Sequence, residues 1–232
     1  MKNSCSVLIP ALNAAGHIAK CLDSVRSAGP GIEIIIMDGG SSDRTVDIAE
    51  NYGAKIIRTA PGRGAQCRLG AELASGDILF FLHADSQLEK EVFSGIDRVF
   101  QNPQVRIAKL SLRFDHQSRL LNFYACCARW DSLLTSFGDQ GILIRKDFYA
   151  ELGGFPPWPL FEDVHLLRLA RKKSKIRTIP SRITTSAEKF RKHGMIRQQL
   201  RNAFLILRYL LGTDPQELSL QYNRAVSHNL LR

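Results

Sequence analysis

Apolar positions in the first 85 residues fall into two patterns, short solid runs and longer stretches with helical period. The solid runs predict four strands, over residues 5–9, 33–37, 55–58 and 77–82. Ile34-Ile35-Ile36 and the run "DILFFL" have no polar alternate positions, which suits strands covered on both faces. Between them lie helical stretches. Residues 14–27 place Ile18, Leu22 and Val25 on one face and stop at Gly29-Pro30-Gly31. A second helix follows the turn Asp38-Gly39-Gly40-Ser41-Ser42-Asp43, where Ser or Asp can cap it, and runs to about Tyr52. A third spans 65–74 after the loop Pro61-Gly62-Arg63-Gly64. Alternating buried strands and helices predict a parallel, nucleotide-binding α/β half, with ligands just beyond the carboxyl ends of the strands.

The remainder is less regular. Helices are predicted over 88–100 and 117–134, the latter with a stripe of Leu120, Phe123, Cys127, Trp130 and Leu134. Strands are predicted over 106–114, 142–144 and 176–180, and a turn at Leu152–Pro156. Three further helices are predicted over 161–171, 195–211 and 215–222. No repeat or linker interrupts the chain. The expected organisation is one α/β domain over 1–186 with a helical extension, 187–232, packed on it.

Charge sharpens that division. Residues 1–165 carry 17 Lys and Arg against 19 Asp and Glu, a net of −2. Residues 166–208 carry 13 basic residues and one acid, Glu188, a net of +12. So basic a block points to a polyanionic partner. In 195–211 the apolar positions Ile196, Leu200, Phe204, Leu207 and Leu211 form one stripe, with Arg197, Arg201 and Arg208 off it. The stripe either packs on the domain or lies on an anionic membrane surface. The five cysteines are odd in number and none has C-x-x-C spacing, which speaks against a disulfide framework or a cysteine zinc site and for a reducing, cytoplasmic compartment. No apolar stretch reaches the length of a spanning helix, and Val7–Leu12 lacks the pattern of a signal peptide.

Four segments carry candidate chemistry. Asp38 ends a strand before two glycines, where a carboxylate can meet a base or ribose, or simply close an Asx turn. His83 and Asp85 follow the fourth strand two residues apart, so both can face one ligand. Carboxylate oxygen suits magnesium or manganese, and imidazole suits manganese and later metals. Glu162-Asp163 opens a helix, as a general base or as dipole complement. Arg63-Gly64-Ala65-Gln66 is a glycine-containing helix start that can meet a phosphate.

Together these segments resemble family 2 glycosyltransferases. The likeness runs over roughly residues 4–180 and rests on "SVLIPALNAA" (6–15), "MDGGSSDRT" (37–45), "SGDILFFLHAD" (75–85), "GDQGILIRKDFYAELGGFP" (138–156) and "FEDVHLLRLARK" (161–172). It is closer still to small bacterial members associated with radical-SAM and selenium-domain proteins, which share the Gly62–Gln66 loop, the Gly138–Gly141 segment and a basic helical tail. The resemblance implies a GT-A fold, a nucleotide-sugar donor (a UDP-sugar first among them), a divalent cation (Mn²⁺ or Mg²⁺) and a hydroxyl acceptor. It implies that Asp163, with Glu162, carries catalysis as the base, with inversion at the anomeric carbon. Nucleotide contacts would come from Pro10, Ala11, Asn13, Asp38, Gly40, Arg63, Gln66, His83 and Ala84. Asp85 would hold the metal. His83 stands where the family's D-x-D motif has its first acid. Gly138, Asp139 and Gln140 would face the donor or acceptor sugar. The Q-x-x-R-W motif of processive synthases is absent, which argues against polymer synthesis.

Other classes fit less well. A nucleotidyltransferase would carry a Gly-rich, Lys-containing loop where this chain reads "PALNAAGHIAK". A nucleic-acid binder would interleave aromatic and basic residues, and this block does not. A non-catalytic relative whose basic block binds an anionic partner is the remaining alternative. The expected acceptor includes a lipid-linked hydroxyl, with the protein peripheral to the inner face of the membrane.

Overall fold

The computed structural model describes residues 4–116, 118–132, 138–186 and 195–227. Among these, eight strands form one sheet in the order β3-β2-β1-β4-β7-β6-β8-β5. The strands are β1 (Cys5–Ala11), β2 (Glu33–Asp38), β3 (Lys55–Arg58), β4 (Ile78–Phe81), β5 (Gln87–Leu88), β6 (Ile107–Phe114), β7 (Ile142–Arg145) and β8 (Arg177–Thr185). β3, β2, β1 and β4 are mutually parallel. β7 runs antiparallel to both β4 and β6, and β8 pairs parallel with β6.

The solid apolar runs become strands with both faces covered. Val7, Ile9, Ile34, Ile36, Ile78 and Phe80 point to one side, among residues of α1 (Ile18–Ala28), α2 (Thr45–Asn51), α4 (Val92–Phe100) and α5 (Arg119–Cys127). Leu8, Ile35, Met37, Leu79 and Phe81 point to the other, among residues of α3 (Arg63–Leu73), α6 (Lys146–Glu151) and α7 (Glu162–Lys173). Burying each such side chain contributes about 1.5–3 kcal/mol, so these alternating rows hold the three layers together. β1 lies between β2 and β4, so the chain leaves it in opposite directions. The strand order thus makes a switch point at its carboxyl end, where ligands of open α/β sheets bind.

Several sequence expectations need correction. α5 covers nine residues and ends at Cys127, far short of Leu134. Its buried face is Leu121 and Ala128, with Tyr124 and Ala125 packed alongside, whereas Phe123 and Trp130 are 67% and 76% exposed. Once the helix stops, Trp130 leaves the helical phase that the stripe assumed. Leu88 lies in a two-residue strand, and α4 begins only at Val92. β8 continues through Pro180 to Thr185 because a bulge absorbs the proline: Leu110 faces Ile179, but Ser111 faces Arg182.

The C-terminal helices are α8 (Met195–Leu210) and α9 (Pro215–Ser227). Leu205, Ile206 and Tyr209 of α8, with Leu218 of α9, pack on Trp158, Leu160, Phe161 and Val164. The expected stripe is therefore not the packing face: Phe204, Leu207 and Leu211 are exposed. The side chains of Ile196 and Leu200, and of Leu120 in the α5 stripe, together with Leu134, lie outside the described residues. No helix among the described residues is long and apolar enough to cross a membrane.

One close approach fixes how the two halves meet. A Cβ on Gly64 would stand 2.1 Å from the Pro156 carbonyl oxygen and 2.9 Å from that of Trp158. Both neighbours are backbone, so neither can rotate away. Gly64→Ala is expected to cost about 1–3 kcal/mol, a Tm loss of roughly 2–4 °C per kcal/mol in a chain of this size. Thermal unfolding followed by circular dichroism checks it, and an unchanged Tm contradicts the packing.

Candidate active site

Every polar segment expected at a strand end lies on one edge of the sheet. The three parallel pairings put the carboxyl ends of β1, β2, β3 and β4 side by side. β7 runs the opposite way, so the turn before it, a 3-10 helix over Gly138–Gln140, reaches the same edge.

A cleft of about 250 Å³ opens at the switch point between β1 and β4. Its walls include Pro10, Ala11, Asn13, Arg63, His83, Ala84 and Asp85, all candidates from the sequence, together with Leu12, Ala14 and His17. A smaller, more enclosed pocket adjoins it, lined by Glu162, Asp163, Gly138, Cys67 and Phe155 among others. Pro10, Arg63 and His83 line both. The structure thus brings six of the nine nucleotide candidates, Pro10, Ala11, Asn13, Arg63, His83 and Ala84, and the acids Glu162 and Asp163 to two adjoining spaces with a common wall.

Asp38, Gly40 and Gln66 are not part of that wall. The Asp38 carboxylate is buried and accepts hydrogen bonds from the backbone of Gly40 (3.1 Å) and Ser41 (3.1 and 3.3 Å). This is the Asx-turn arrangement, which shapes the loop from within. Gln66 is buried too. Its Nε2 donates to the carbonyls of Met37 (2.7 Å) and Ala11 (3.1 Å), and its Oε1 accepts from the Gly62 amide. One amide side chain therefore ties the carboxyl ends of β1 and β2 to the loop before α3.

A second set of bonds holds the cleft's rim. Asn13 adopts a left-handed backbone, φ 49°, and its amide donates to Ser41 Oγ at 2.9 Å. Asn13 Oδ1 accepts from the Ser42 amide at 2.9 Å. The amides of Ala14 and Ala15 donate to Thr45 Oγ1 and Asp43 Oδ2. These polar residues after β2 are legible as a turn, but their partnership with residues 13–15 is a tertiary fact.

The acids sit at the start of α7, where carboxylates complement the helix dipole. Phe161, just before them, has a left-handed backbone, φ 64°. Such a conformation costs about 1–3 kcal/mol in a residue with a side chain and persists where packing over-determines it. Here the Phe161 ring stacks on Tyr209 of α8, centroids 5.1 Å apart. Glu162 is 1% exposed, and its Oε1 accepts a short hydrogen bond from Arg63 Nε. Arg63 Nη2 also lies 3.8 Å from Asp163 Oδ1. Burial by itself would lower the Arg63 pKa, but the charges of Glu162 and Asp163 hold the guanidinium protonated beyond its ordinary range. Burial pushes the Glu162 carboxyl up, against the pull of Arg63.

Asp163 is bound on both oxygens. Oδ2 accepts from the Gly138 amide at 2.7 Å, and Oδ1 from the Val164 amide at 2.8 Å. Gly138 fits where little else can: a Cβ there would lie 2.9 Å from Asp163 Oδ2 and 3.2 Å from His83 Nε2. Gly138 therefore separates the acid from the histidine at contact distance. Asp85 Oδ1 is buried without a hydrogen-bond partner, a carboxylate oxygen of the kind that takes a cation. Among the described residues, no group of three or more His, Cys, Asp or Glu forms a metal cage.

Burial, followed by the charges of Asp163 and Asp85, pushes the Asp139 carboxyl up to about 7. An acid whose folded pKa is raised costs stability wherever it is ionised. The cost sets in above the ordinary value of 3.8 and is complete above about 7. In the metal-free protein, Asp139→Asn is expected to raise Tm at pH 8 by about 2–4 °C or more, roughly 1 kcal/mol, and the gain vanishes by about pH 4. Melting curves across that range check it; an equal gain at both ends contradicts the assignment.

Residues 6–143 match the family model described as Glycosyl transferase family 2. That span is more than half of the chain, and the protein belongs to this family. The chain is 38% identical over 96 residues to 4,4'-diaponeurosporenoate glycosyltransferase of Staphylococcus haemolyticus, covering 38% of this chain and 26% of that protein. It is 40% identical over 91 residues to a PGL/p-HBAD biosynthesis glycosyltransferase of Mycobacterium tuberculosis, covering 36% of each. The chain thus spans less than half the length of these curated relatives. The fold matches S. aureus TarS 1-349 with a TM-score of 0.67 at 17% identity, over 91% of this chain and 66% of that one. It matches the mannosyltransferase PcManGT of Pyrobaculum calidifontis, solved with GDP-Man and Mn²⁺, with a TM-score of 0.70 at 15% identity, over 94% and 67%. The architecture is the mixed-sheet GT-A fold of these glycosyltransferases.

Proposed function

We propose that the protein transfers a hexosyl group from a nucleoside diphosphate sugar to an acceptor hydroxyl, with inversion at the anomeric carbon. The observation that carries this reading is the adjoining pair of spaces, one at the β1/β4 switch point and one at the buried acids, with Arg63 and His83 in both walls. The family supports the reaction class. Structures of the same fold bind UDP, UDP-GlcNAc and GDP-Man, which supports a nucleotide-sugar donor. A UDP-sugar is our first choice. Within the family we place the chain beside the radical-SAM and selenium-domain-associated members, on the segments at 62–66 and 138–141. We assign it to the cytoplasm.

In this reading the nucleotide lies along Pro10, Ala11, Asn13 and Ala84. Asp38, Gly40 and Gln66 act by positioning that loop edge. Asp85, through its unpartnered oxygen and with His83 beside it, fits a divalent cation, Mn²⁺ or Mg²⁺. A bound cation would offset the charge that develops on the departing diphosphate. Gly138, Asp139 and Gln140 border the sugar.

Asp163 takes the proton from the acceptor hydroxyl. The acceptor oxygen forms its bond to the anomeric carbon as the bond to the diphosphate oxygen breaks, and the electron pair leaves with the nucleoside diphosphate. The Gly138 amide holds Asp163 in place, and Glu162 holds Arg63 at the junction of the two spaces. Arg63 then faces the leaving group with a fixed positive charge.

The test is nucleoside diphosphate release from a panel of UDP-, GDP- and dTDP-sugars, with Mn²⁺ and a polar lipid extract as acceptor source. Asp163→Asn is expected to lose about 10²–10⁴-fold in turnover while nucleotide affinity is kept. Gly138→Ala is expected to lose at least about tenfold, since it displaces Asp163 and His83 from each other. Full turnover in Asp163→Asn contradicts the base assignment.

A further inference from the structure

The C-terminal half of α8 is apolar on two faces. Leu205, Ile206 and Tyr209 are buried against the entry to α7. On the other side Phe204, Leu207 and Leu211 are 59%, 55% and 77% exposed. Leu211 lies one residue past α8, but its amide still donates to the Leu207 carbonyl at 2.9 Å, so the spacing i, i+3 and i+7 puts the three on one helical face. Leu210 lies at its edge, and Leu220 of α9 is exposed as well. A helix that only covers its own domain needs one apolar face. The second is left in water.

The sequence that leads into this stretch is strongly cationic, although the stretch itself holds one cation, Arg208. The segment 166–208 has a net charge of +12. Some of these cations are paired on the domain: Arg171 with Asp131, Lys173 with Glu151, Arg208 with Glu217. The sequence 187–202, which runs into α8, adds Lys189, Arg191, Lys192, Arg197 and Arg201 against one acid.

We infer that the Phe204/Leu207/Leu211 face of α8 lies on an anionic phospholipid bilayer. The three side chains enter the boundary between headgroups and acyl chains, and the cations of the block meet the headgroup charge. Charge decides between occupants. Two copies of this chain would bring two basic blocks together, which repel. A nucleic acid would meet the cations but has no use for three adjacent apolar side chains. An anionic bilayer satisfies both.

The contact deepens the proposed function. Tyr209, on the opposite face of α8, stacks on Phe161, the residue before Glu162-Asp163. The His165 ring Nδ1 lies 3.3 Å from Tyr209 Oη. A bilayer under α8 thus lies one helix away from the acids, which suits an acceptor hydroxyl carried on a lipid. Only that acceptor assignment rests on the glycosyl-transfer reading; the membrane contact does not.

The experiment is flotation of the full chain with vesicles of phosphatidylcholine alone, or with one part in three phosphatidylglycerol. The protein is expected to float with the anionic vesicles at least tenfold better than with the neutral ones, and less well as salt shortens the screening length. The variant Phe204→Ser/Leu207→Ser/Leu211→Ser is expected to lose at least tenfold in vesicle affinity. Its binding of UDP or GDP stays as in the wild type and its Tm falls by no more than a few degrees, because the changed side chains are more than half exposed and Ser costs a helix a few tenths of a kcal/mol per residue. Leu211→Ser alone gives a smaller loss in the same direction, which guards against a folding defect in the triple variant. No flotation of the wild type overturns the inference, as does undiminished flotation of the triple variant. A wild-type dimer that the triple variant converts to monomer, without vesicle binding, assigns the face to a second copy and also overturns it. Nucleotide binding on the same samples keeps a failure here distinct from a failure of the donor site.

Discussion

The ion pair between Arg63 and Glu162 joins side chains 99 residues apart and holds the two halves of the site at a fixed distance. Arg63 opens α3, which follows the parallel strand β3. Glu162 opens α7, which follows the antiparallel part of the sheet. Their meeting is possible because Gly64 lets the backbone of 156–158 lie directly on α3. Glu162 is buried and Arg63 about one-third exposed, so the pair adds little net stability, but removing Arg63 would leave the Glu162 carboxylate buried without its partner. Its value is therefore geometric. It fixes the start of α7, and with it Asp163, against the wall of the cleft.

Around that pair the sheet does the collecting. Four parallel strands put four loops side by side, and reversal at β7 brings Gly138–Gln140 to the same edge. The result is a concentration of carboxylates. Asp85, Asp139, Glu162 and Asp163 sit close enough that burial and mutual repulsion raise Asp139 and Glu162. Arg63 offsets part of this charge. In the proposed reading the rest is met by a cation that accompanies the donor; Asp85 Oδ1, Asp139 Oδ1 and Glu162 Oε2 are buried carboxylate oxygens without a hydrogen-bond partner, and of these Asp85 lines the cleft.

Much of this was legible in the sequence, for identifiable reasons. Continuous apolar runs such as Ile34–Ile36 and Ile78–Phe81 are short, rich in β-branched or aromatic residues and bounded by turn residues, which favours a doubly covered strand over a buried helix. The loops after them stood out because they turn polar or glycine-rich at once. Other features were hidden. Asp38 reads equally as a ligand or as a turn, and only the fold showed its oxygens on Gly40 and Ser41. Arg63 reads as a phosphate contact, and its partner Glu162 could not be seen from local spacing. In α8, periodicity failed because residues 203–211 are apolar on both sides. Phe204/Leu207/Leu211 and Leu205/Ile206/Tyr209 are both plausible stripes, and burial chose the second.

The central claim is that the edge at the β1/β4 switch point is a cation-assisted nucleoside diphosphate site. Isothermal titration of UDP and GDP into the full chain, with and without Mn²⁺, tests it most directly. The account predicts that one nucleotide binds, that Mn²⁺ tightens it at least about tenfold, or 1.4 kcal/mol, and that Asp85→Ala removes this gain. Absence of binding by either nucleotide, with or without the metal, would contradict it.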